Sequence, residues 1–215
     1  DMMAVIFPFE VAYYETERIP VRYVGHPSVD KVHPQLSKKD DLSLYGLEKT
    51  SPIVGILPGS RRNEIERMLP VMLAAAELLQ AEFPGIHFLL PQADSITDEL
   101  LAERLSPTSL MLTVIKHQPY DGIQCCDAIM TTSGTASLEI ALLGIPMVIA
   151  YKLSPLTYWL GRLLVKTPYI GLPNIILGKP AVRELIQHEA DAENLAAEIS
   201  KMLKDPAYAG QIRQD

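Results

Sequence analysis

The stretch from Thr131 to Glu139 combines hydroxyl side chains, a glycine and a carboxylate at a spacing that suits a nucleotide. It follows a strand-like run and opens a helix-like run, so the N–H groups around Gly134 lie at the positive end of a helix, where phosphates bind. Glu139 follows Thr135 by four residues and projects from the same helical face. A carboxylate there can accept hydrogen bonds from both ribose hydroxyls. The motif predicts a nucleotide clamp that includes Ser133.

The alternative for this stretch is an ordinary helix N-cap. A capping box places its glutamate three residues after the cap. The residue three positions before Glu139 is Ala136, so this interpretation fails for Glu139, although Thr132 or Ser133 can still cap the helix.

A second turn with anion-binding chemistry, residues 57–64, also lies where a strand-like run ends. Ligands of open α/β sheets bind beyond the carboxyl ends of the strands, near the point where strand order reverses. The turn at Gly59 and Ser60 can therefore face the same crevice as Ser133. Arg61 would place a bidentate guanidinium on a diphosphate held by the amides of the first turn. The alternative for Arg61 is a surface salt bridge.

Composition places the chain among globular proteins and narrows its partners. Its 215 residues are 48% hydrophobic and 21% charged, which is typical of a protein with a sizeable core. The net charge of −7 argues against broad nucleic-acid binding. No apolar run reaches the ~18 residues that span a bilayer. The adjacent Cys125 and Cys126 indicate reduced thiols in a cytoplasmic protein, and no histidines fall at metal-ligand spacing, so we expect no metal.

From Pro52 onward, short apolar strands alternate with helices, which predicts a buried parallel sheet with right-handed crossovers. The predicted fold class is α/β: a Rossmann-like, open, mostly parallel sheet with helices on both faces. The predicted strands are Ile53–Leu57, Ile86–Pro91, Leu110–Ile115, Asp127–Thr131 and Pro146–Tyr151, and the predicted helices are Pro70–Phe83, Ile96–Leu105, Tyr120–Cys125 and Thr135–Leu143.

Pro70 is predicted to be the first residue of its helix, because a proline inside a helix removes a backbone hydrogen bond. Residues 62–68 then form a separate helical turn, in which Arg62 points to solvent or pairs with Glu66. Before the sheet, the pattern predicts a strand, a helix over Pro8–Glu17, and a second short strand. Residues 25–51 are polar, with a short helix near position 41, and form the best candidate for a domain linker.

Three further features leave alternatives open. Leu156, Trp159, Leu160 and Leu163 share one helical face beside basic residues, so they could contact a membrane surface or pack on their own domain. Asn174 could hydrogen-bond a sugar or brace its turn. A histidine before proline, as in the Gly-His-Pro turn at position 26, is more often structural than ligand-binding.

Taken together, these segments resemble the lipid-A-disaccharide synthase family of Gram-negative bacteria. The Ser-Gly-Thr…Glu motif is shared with other nucleotide-sugar enzymes, but the whole set is specific and spans nearly the entire chain. The matching pieces, in family order, are Phe7–Glu10, Val24–Pro27, Leu57–Arg61, Ser133–Glu139, Pro146–Val148, Leu164–Thr167 and Leu172–Asn174.

The resemblance implies a glycosyltransferase of the GT-B architecture, of which this chain is the C-terminal, UDP-binding half. It implies transfer of 2,3-diacylglucosamine from UDP-2,3-diacylglucosamine to 2,3-diacylglucosamine 1-phosphate, with a β-1,6 linkage, on the cytoplasmic face of the inner membrane. It implies no metal or cofactor and an acceptor site with its general base in the N-terminal half. Arg61 would be catalytic, Glu139 would hold the ribose, and Asn174 would contact the donor sugar or phosphate.

The resemblance also implies a domain organisation. The N-terminal domain ends with residues 1–24, and a linker at residues 25–51 joins it to the Rossmann-like UDP-sugar donor domain at residues 52–205. A helix that returns to the N-terminal domain begins at residues 206–215. Two other functions fit the same motifs. One is another UDP-GlcNAc-type transferase or epimerase, and the other is a non-catalytic sugar-nucleotide-binding module.

Overall fold

The computed structural model describes residues 2–48, 50–153 and 168–215. The chain begins with a small unit of β1 (Met3–Val5), α1 (Pro8–Thr16) and β2 (Val21–Tyr23), and its two strands pair in parallel. The predicted order of strand, helix and strand is confirmed. No residue of α1 is buried, and its side chains Phe9 and Tyr13 are 46% and 66% exposed.

The segment predicted as a linker is folded against the rest of the chain. It contains α2 (Ser28–Lys31) and α3 (Lys38–Leu44), and α3 is the helix predicted near position 41. Val32 and Leu47 are buried, and α3 packs on a helix of the larger unit. The linker therefore belongs to the packing of the unit that follows it.

The larger unit is a six-stranded sheet connected by helices. Its elements are β3 (Ile53–Leu57), α4 (Arg62–Glu82), β4 (His87–Pro91), α5 (Asp98–Leu105), β5 (Leu112–Ile115), α6 (Pro119–Gln124), β6 (Ala128–Thr131), α7 (Thr135–Leu142), β7 (Met147–Tyr151), α8 (Leu172–Leu177), β8 (Arg183–Ile186), α9 (Ala192–Lys204) and α10 (Pro206–Gln214).

The strand order is β5-β4-β3-β6-β7-β8, and every neighbouring pair is parallel. The chain winds outward from β3 in one direction and then from β6 in the other, which is the strand order of a Rossmann fold. The predicted fold class is confirmed. β8 was not predicted, because its polar Arg183 and Glu184 break the apolar pattern that marks the other strands.

Two hydrophobic clusters cover the two faces of the sheet. Alternate residues of each strand join opposite clusters, as the two-residue repeat of a strand requires. Val54 and Phe88 face α4 and α9, whereas Ile53 and Leu89 face the side of α6 and α7. Within the described ranges, no helix has the length and apolar character needed to cross a membrane.

The prediction that the main helix begins at Pro70 is wrong. α4 runs without interruption from Arg62 to Glu82, with Pro70 inside it. Pro70 lies on the exposed side, so water can reach the carbonyl left without its intrahelical donor. The buried Leu69 and Met72 continue the apolar face on both sides of the proline. Burial of that face outweighs the roughly 3 kcal/mol cost of an internal proline.

Candidate functional site

A cavity of about 580 Å³ opens at the carboxyl ends of β3 and β6, where the strand order reverses. The amide of Thr132 donates to the carbonyl of Leu57 at 3.1 Å and joins the two turns that leave these strands. The structure therefore brings the two predicted turns together. The predicted residues that line the cavity are Gly59, Ser60, Arg61, Ser133, Gly134, Thr135 and Glu139.

The turn before α7 presents unoccupied amides to this cavity. Gly134 is the N-cap, with φ +148°, and no side chain caps the helix there. The expected cap by Thr132 or Ser133 is therefore absent. Instead, the Ser133 hydroxyl donates to the carbonyl of Ile170 at 2.6 Å. Among the described residues, the Gly134 and Thr135 amides find no hydrogen-bond partner, which leaves them available to an anion.

Glu139 lies deeper in the cavity, one turn into α7, and is partly buried. Burial raises the pKa of its carboxyl, and three neighbours oppose that shift. These neighbours are the Tyr120 hydroxyl, which faces the carboxylate, and His26 and Lys31 in the segment around α2. The carboxylate is therefore partly removed from water and lies beside a hydroxyl and a lysine, and it can accept hydrogen bonds from the hydroxyls of a ligand.

His26 has a structural role in its turn. Its Nδ1 accepts a hydrogen bond from the Ser28 amide at 3.1 Å, so its Nε2 carries the proton. Its ring lies on that of Phe7, with centroids 5.1 Å apart. These contacts agree with the more structural of the two interpretations of this turn, and they join the first β-α-β unit to the segment beside Glu139.

The turn after β3 is organised by Glu64. Its Oε2 accepts hydrogen bonds from the Ser60 and Arg61 amides, at 3.0 and 3.1 Å, and its Oε1 lies 3.3 Å from Nη1 of Arg61. The Arg61 side chain is 80% exposed and lines the cavity. Arg61 thus forms a surface salt bridge, which was the alternative to a contact with a diphosphate, and it also lies at the cavity where that contact was predicted. The predicted pair of Arg62 with Glu66 is present at 2.8 Å.

The structure assigns Asn174 to bracing, not to the cavity. Its side chain is 1% exposed and lies outside the cavity lining. Its Nδ2 donates to the Val182 carbonyl at 2.8 Å and to Glu184 Oε1 at 2.7 Å, while its Oδ1 accepts from the Val182 amide at 2.9 Å. Both ends of the amide are used within the protein, which favours the bracing role, and the contact with the donor stays a prediction.

Glu184 is a residue that the sequence argument missed. It accepts hydrogen bonds from the amides of Ile170 and Gly171, at 2.8 and 2.9 Å, as well as from Asn174. Ile170 in turn accepts from Ser133. Glu184 therefore holds the segment before α8 against the α7 turn. A glutamate just after the start of an unpredicted strand carries no sequence signal for this role.

The far wall of the cavity was also missed, although the topology could have identified it. It comes from the loops after β4 and β5, which end at the same edge of the sheet as β3. Gln118 adopts a left-handed conformation, with φ +50°, and α6 starts at Pro119 and carries Tyr120 into the cavity. The lining residues of this wall include Gln92, Asp94, Lys116, His117, Gln118 and Tyr120.

The remaining sequence predictions concern the apolar helical face, metal binding and the two cysteines. Leu156, Trp159, Leu160 and Leu163 fall outside the described residues. Within residues 2–48, 50–153 and 168–215, no three histidine, cysteine or acidic side chains are grouped to hold a metal. Cys125 and Cys126 are free and buried.

A family profile described as lipid-A-disaccharide synthetase matches the chain over residues 1–215. The chain belongs to the lipid-A-disaccharide synthase family. The lipid-A-disaccharide synthase of Geobacter metallireducens is 49% identical over 99% of the chain, and that of Nitrosococcus oceani is 44% identical over 100% of the chain. The chain spans 56% and 55% of these two relatives, so it corresponds to about half of a lipid-A-disaccharide synthase.

Solved structures of other proteins share the fold of this chain. A Staphylococcus aureus MnaA structure with UDP has a TM-score of 0.64 at 11% identity, and covers 95% of the chain and 51% of its own. WaaG, a glycosyltransferase of lipopolysaccharide biosynthesis, has a TM-score of 0.56 at 14% identity, covering 98% and 57%. At such identities the likeness concerns the fold alone, and it agrees with the Rossmann-like topology.

Proposed function

We propose that this chain is the UDP-binding part of a glycosyltransferase that moves 2,3-diacylglucosamine from UDP to 2,3-diacylglucosamine 1-phosphate, forming a β-1,6-linked disaccharide. The observation that carries the proposal is the single cavity in which free α7 amides, the Arg61 guanidinium and the Glu139 carboxylate meet. These are a phosphate site, a cation and a ribose acceptor in one crevice. Family membership supports the choice of substrates.

In this proposal, the amides of Gly134 and Thr135 and the guanidinium of Arg61 bind the diphosphate. As the bond to the donor sugar breaks, the departing UDP gains negative charge on that diphosphate. Donors already aimed at it stabilise the transition state, and loss of one such donor typically costs roughly 3 kcal/mol of barrier. Arg61 is therefore the catalytic residue of this half.

Glu139 accepts hydrogen bonds from the ribose hydroxyls, because its carboxylate lies one turn deeper than the phosphate-binding amides. The Tyr120 hydroxyl faces the same carboxylate and keeps it directed into the cavity. The loops after β4 and β5 form the wall beyond the ribose and are the part of the cavity left for the base.

The domain organisation is part of the proposal. Residues 1–24 end an N-terminal domain, 25–51 link it to the donor domain at 52–205, and 206–215 begin a helix that returns to the N-terminal domain. The exposed aromatic side chains of α1 support a partner surface for the first unit. The acceptor site and the general base would lie in the rest of the full-length protein.

The proposed enzyme acts as a peripheral protein on the cytoplasmic face of the inner membrane. Both proposed substrates carry acyl chains, so the reacting groups lie at a lipid surface. The apolar face of Leu156, Trp159, Leu160 and Leu163, with basic residues beside it in the sequence, is the proposed membrane contact.

The test is transfer by the full-length protein, followed by mass spectrometry of the disaccharide formed from UDP-2,3-diacylglucosamine and the 1-phosphate acceptor. UDP-GlcNAc as the donor is the matched comparison. Product from the acylated donor alone supports the proposal. Product from UDP-GlcNAc alone assigns the chain to another UDP-sugar enzyme, and binding of UDP without any transfer assigns it to a binding module.

The nucleotide site is tested separately by thermal unfolding with UDP. A ligand at 100 times its dissociation constant adds about 2.7 kcal/mol to stability. Arg61→Ala and Glu139→Ala should lose most of this stabilisation. Glu77→Ala is the control, because Glu77 is exposed on α4 and lies outside the cavity lining. Equal stabilisation of all variants would place UDP elsewhere.

A further inference from the structure

The Gly59–Arg61 turn encloses a carboxylate that belongs to the protein itself. Two consecutive amides, those of Ser60 and Arg61, converge on Oε2 of Glu64 at 3.0 and 3.1 Å. Consecutive N–H groups that point at one oxygen form an anion-binding concavity of the kind that receives phosphates in other proteins. In this protein, the concavity already holds an anion.

The fit between this turn and Glu64 is close. Gly59 has φ +115°, and a Cβ atom at that position would lie 2.4 Å from Glu64 Oε2. The turn therefore needs a glycine so that the carboxylate can reach both amides. On the other side of the turn, the Ser95 hydroxyl donates to the Ser60 carbonyl at 2.5 Å. The Glu64 side chain is only 15% exposed although it borders the cavity.

These contacts divide the anion-binding groups of the cavity into two kinds. The Ser60 and Arg61 amides of the β3 turn are used by Glu64, whereas the Gly134 and Thr135 amides have no partner among the residues that the structure describes. The charged group that the β3 turn still presents is the Arg61 guanidinium, which is 80% exposed and whose Nη1 lies 3.3 Å from Glu64 Oε1. A diphosphate can thus take its cation from one turn and its amides from the other.

We propose that Glu64 is a positioning residue that holds Arg61 toward the diphosphate. Its Oε2 fixes the backbone of the turn, and its Oε1 restrains a guanidinium that would otherwise sample many rotamers. The inference rests on the proposed function, since it names the residue that orients the catalytic cation of that site. In this proposal Gly59 and the Ser60 amide shape the turn, and the predicted contacts of Gly59 and Ser60 with the ligand stay a prediction.

The opposite role for Glu64 would be competition, in which its carboxylate occupies an anion site that the diphosphate must take. The two roles predict opposite effects of neutralising Glu64. A positioning residue supports binding, so its loss weakens the grip on UDP. A competitor opposes binding, so its loss tightens it.

The experiment uses the full-length protein with Glu64→Gln, Arg61→Ala and the double variant. Glutamine keeps the shape and one acceptor oxygen for the two amides, but turns an NH₂ group toward the guanidinium. Glu66→Gln is the matched control, because Glu66 lies in the same helix and pairs with the adjacent arginine at 2.8 Å. For each protein, the dissociation constant of UDP is measured by calorimetry, and kcat and KM by donor turnover.

We expect Glu64→Gln to weaken UDP binding by about tenfold, the size of one charge-assisted contact. It should lower kcat more than it raises KM, because charge develops on the diphosphate in the transition state. In the Arg61→Ala background, the same substitution should have no further effect. Glu66→Gln should leave the dissociation constant, kcat and KM unchanged.

Tighter UDP binding by Glu64→Gln overturns the proposal in favour of competition. A tenfold loss that persists in the Arg61→Ala background also overturns it, because Glu64 would then act without Arg61. If Glu64→Gln lowers the melting temperature, the double-variant comparison is made below the melting temperatures of all four proteins and decides in the same way. Absence of UDP binding by the unsubstituted protein would instead refute the proposed function.

Discussion

Replacement of Asn174 by alanine separates a structural brace from a ligand contact. The substitution removes three hydrogen bonds, two to the backbone of Val182 and one to Glu184. The amide and the carbonyl of Val182 are left without partners beneath a residue that is 1% exposed. Glu184 keeps its bonds from Ile170 and Gly171.

Each buried polar group left unsatisfied costs roughly 1–3 kcal/mol. Two such groups give an expected loss of about 3 kcal/mol in the free energy of unfolding, which is large for a single substitution. UDP binding should weaken much less, because Asn174 does not line the cavity. The measurement is urea unfolding followed by circular dichroism, with calorimetry of UDP at a temperature where the variant is folded.

Asn63→Ala is the control for the loss of an asparagine amide. Asn63 is exposed in the first turn of α4, so its replacement should change stability by less than about 0.5 kcal/mol. The reasoning is refuted if Asn174→Ala abolishes UDP binding while its unfolding curve stays that of the parent. That result would restore the ligand contact implied by the family resemblance.

Three further predictions concern other parts of the chain. Gly134→Ala should weaken UDP binding, because the backbone conformation of the turn, with φ +148°, costs a residue with a side chain about 1–3 kcal/mol. Calorimetry of UDP binding checks this. Gly210→Ala is the control and should bind UDP like the parent, because a Cβ at that helical position meets open space. Asp41→Asn should raise the melting temperature at pH 8 and do so less at pH 4. Burial raises the pKa of the Asp41 carboxyl, so the penalty for its charge applies above that pKa and disappears as the folded group takes up a proton; a constant difference across this range would contradict it. Iodoacetamide should label neither Cys125 nor Cys126 at pH 8 in the folded protein, because both thiols are buried and burial raises the pKa of Cys125 to about 11. Mass spectrometry of the treated protein measures the labelling, and rapid labelling of either thiol would refute this prediction.

The parallel sheet was predictable because its strands are short apolar runs separated by helices. The same rule failed for β8, where Arg183 and Glu184 occupy positions of a strand at the sheet edge. It also failed at Pro70, since a local rule about proline ignores the burial gained by continuing the helix. In both cases, tertiary packing outweighed a local preference.

The two turns that line the cavity were predictable because the residues that form each turn are adjacent in the sequence. The residues that hold the turns in place were not. Glu184 acts on amides 13 and 14 positions before it, as the separations of Gly171 and Ile170 show. Glu64 lies three residues after the N-cap Arg61, at the spacing of a capping box, so only its second contact, with the Arg61 guanidinium, has no signal in the sequence. Such pairings depend on how the chain returns to the same point in space.

The hydrogen bond from Thr132 to Leu57 has a consequence for redesign of the proposed nucleotide site. It makes the two central turns one mechanical unit, so a change in either is transmitted to the other. The loop after β4 is tied to the turn after β3 through the Ser95 hydroxyl and the Ser60 carbonyl, whereas the loop after β5 lies outside both links. The loop after β5 is therefore the segment to graft in order to change which base the proposed site accepts while the two central turns stay the same.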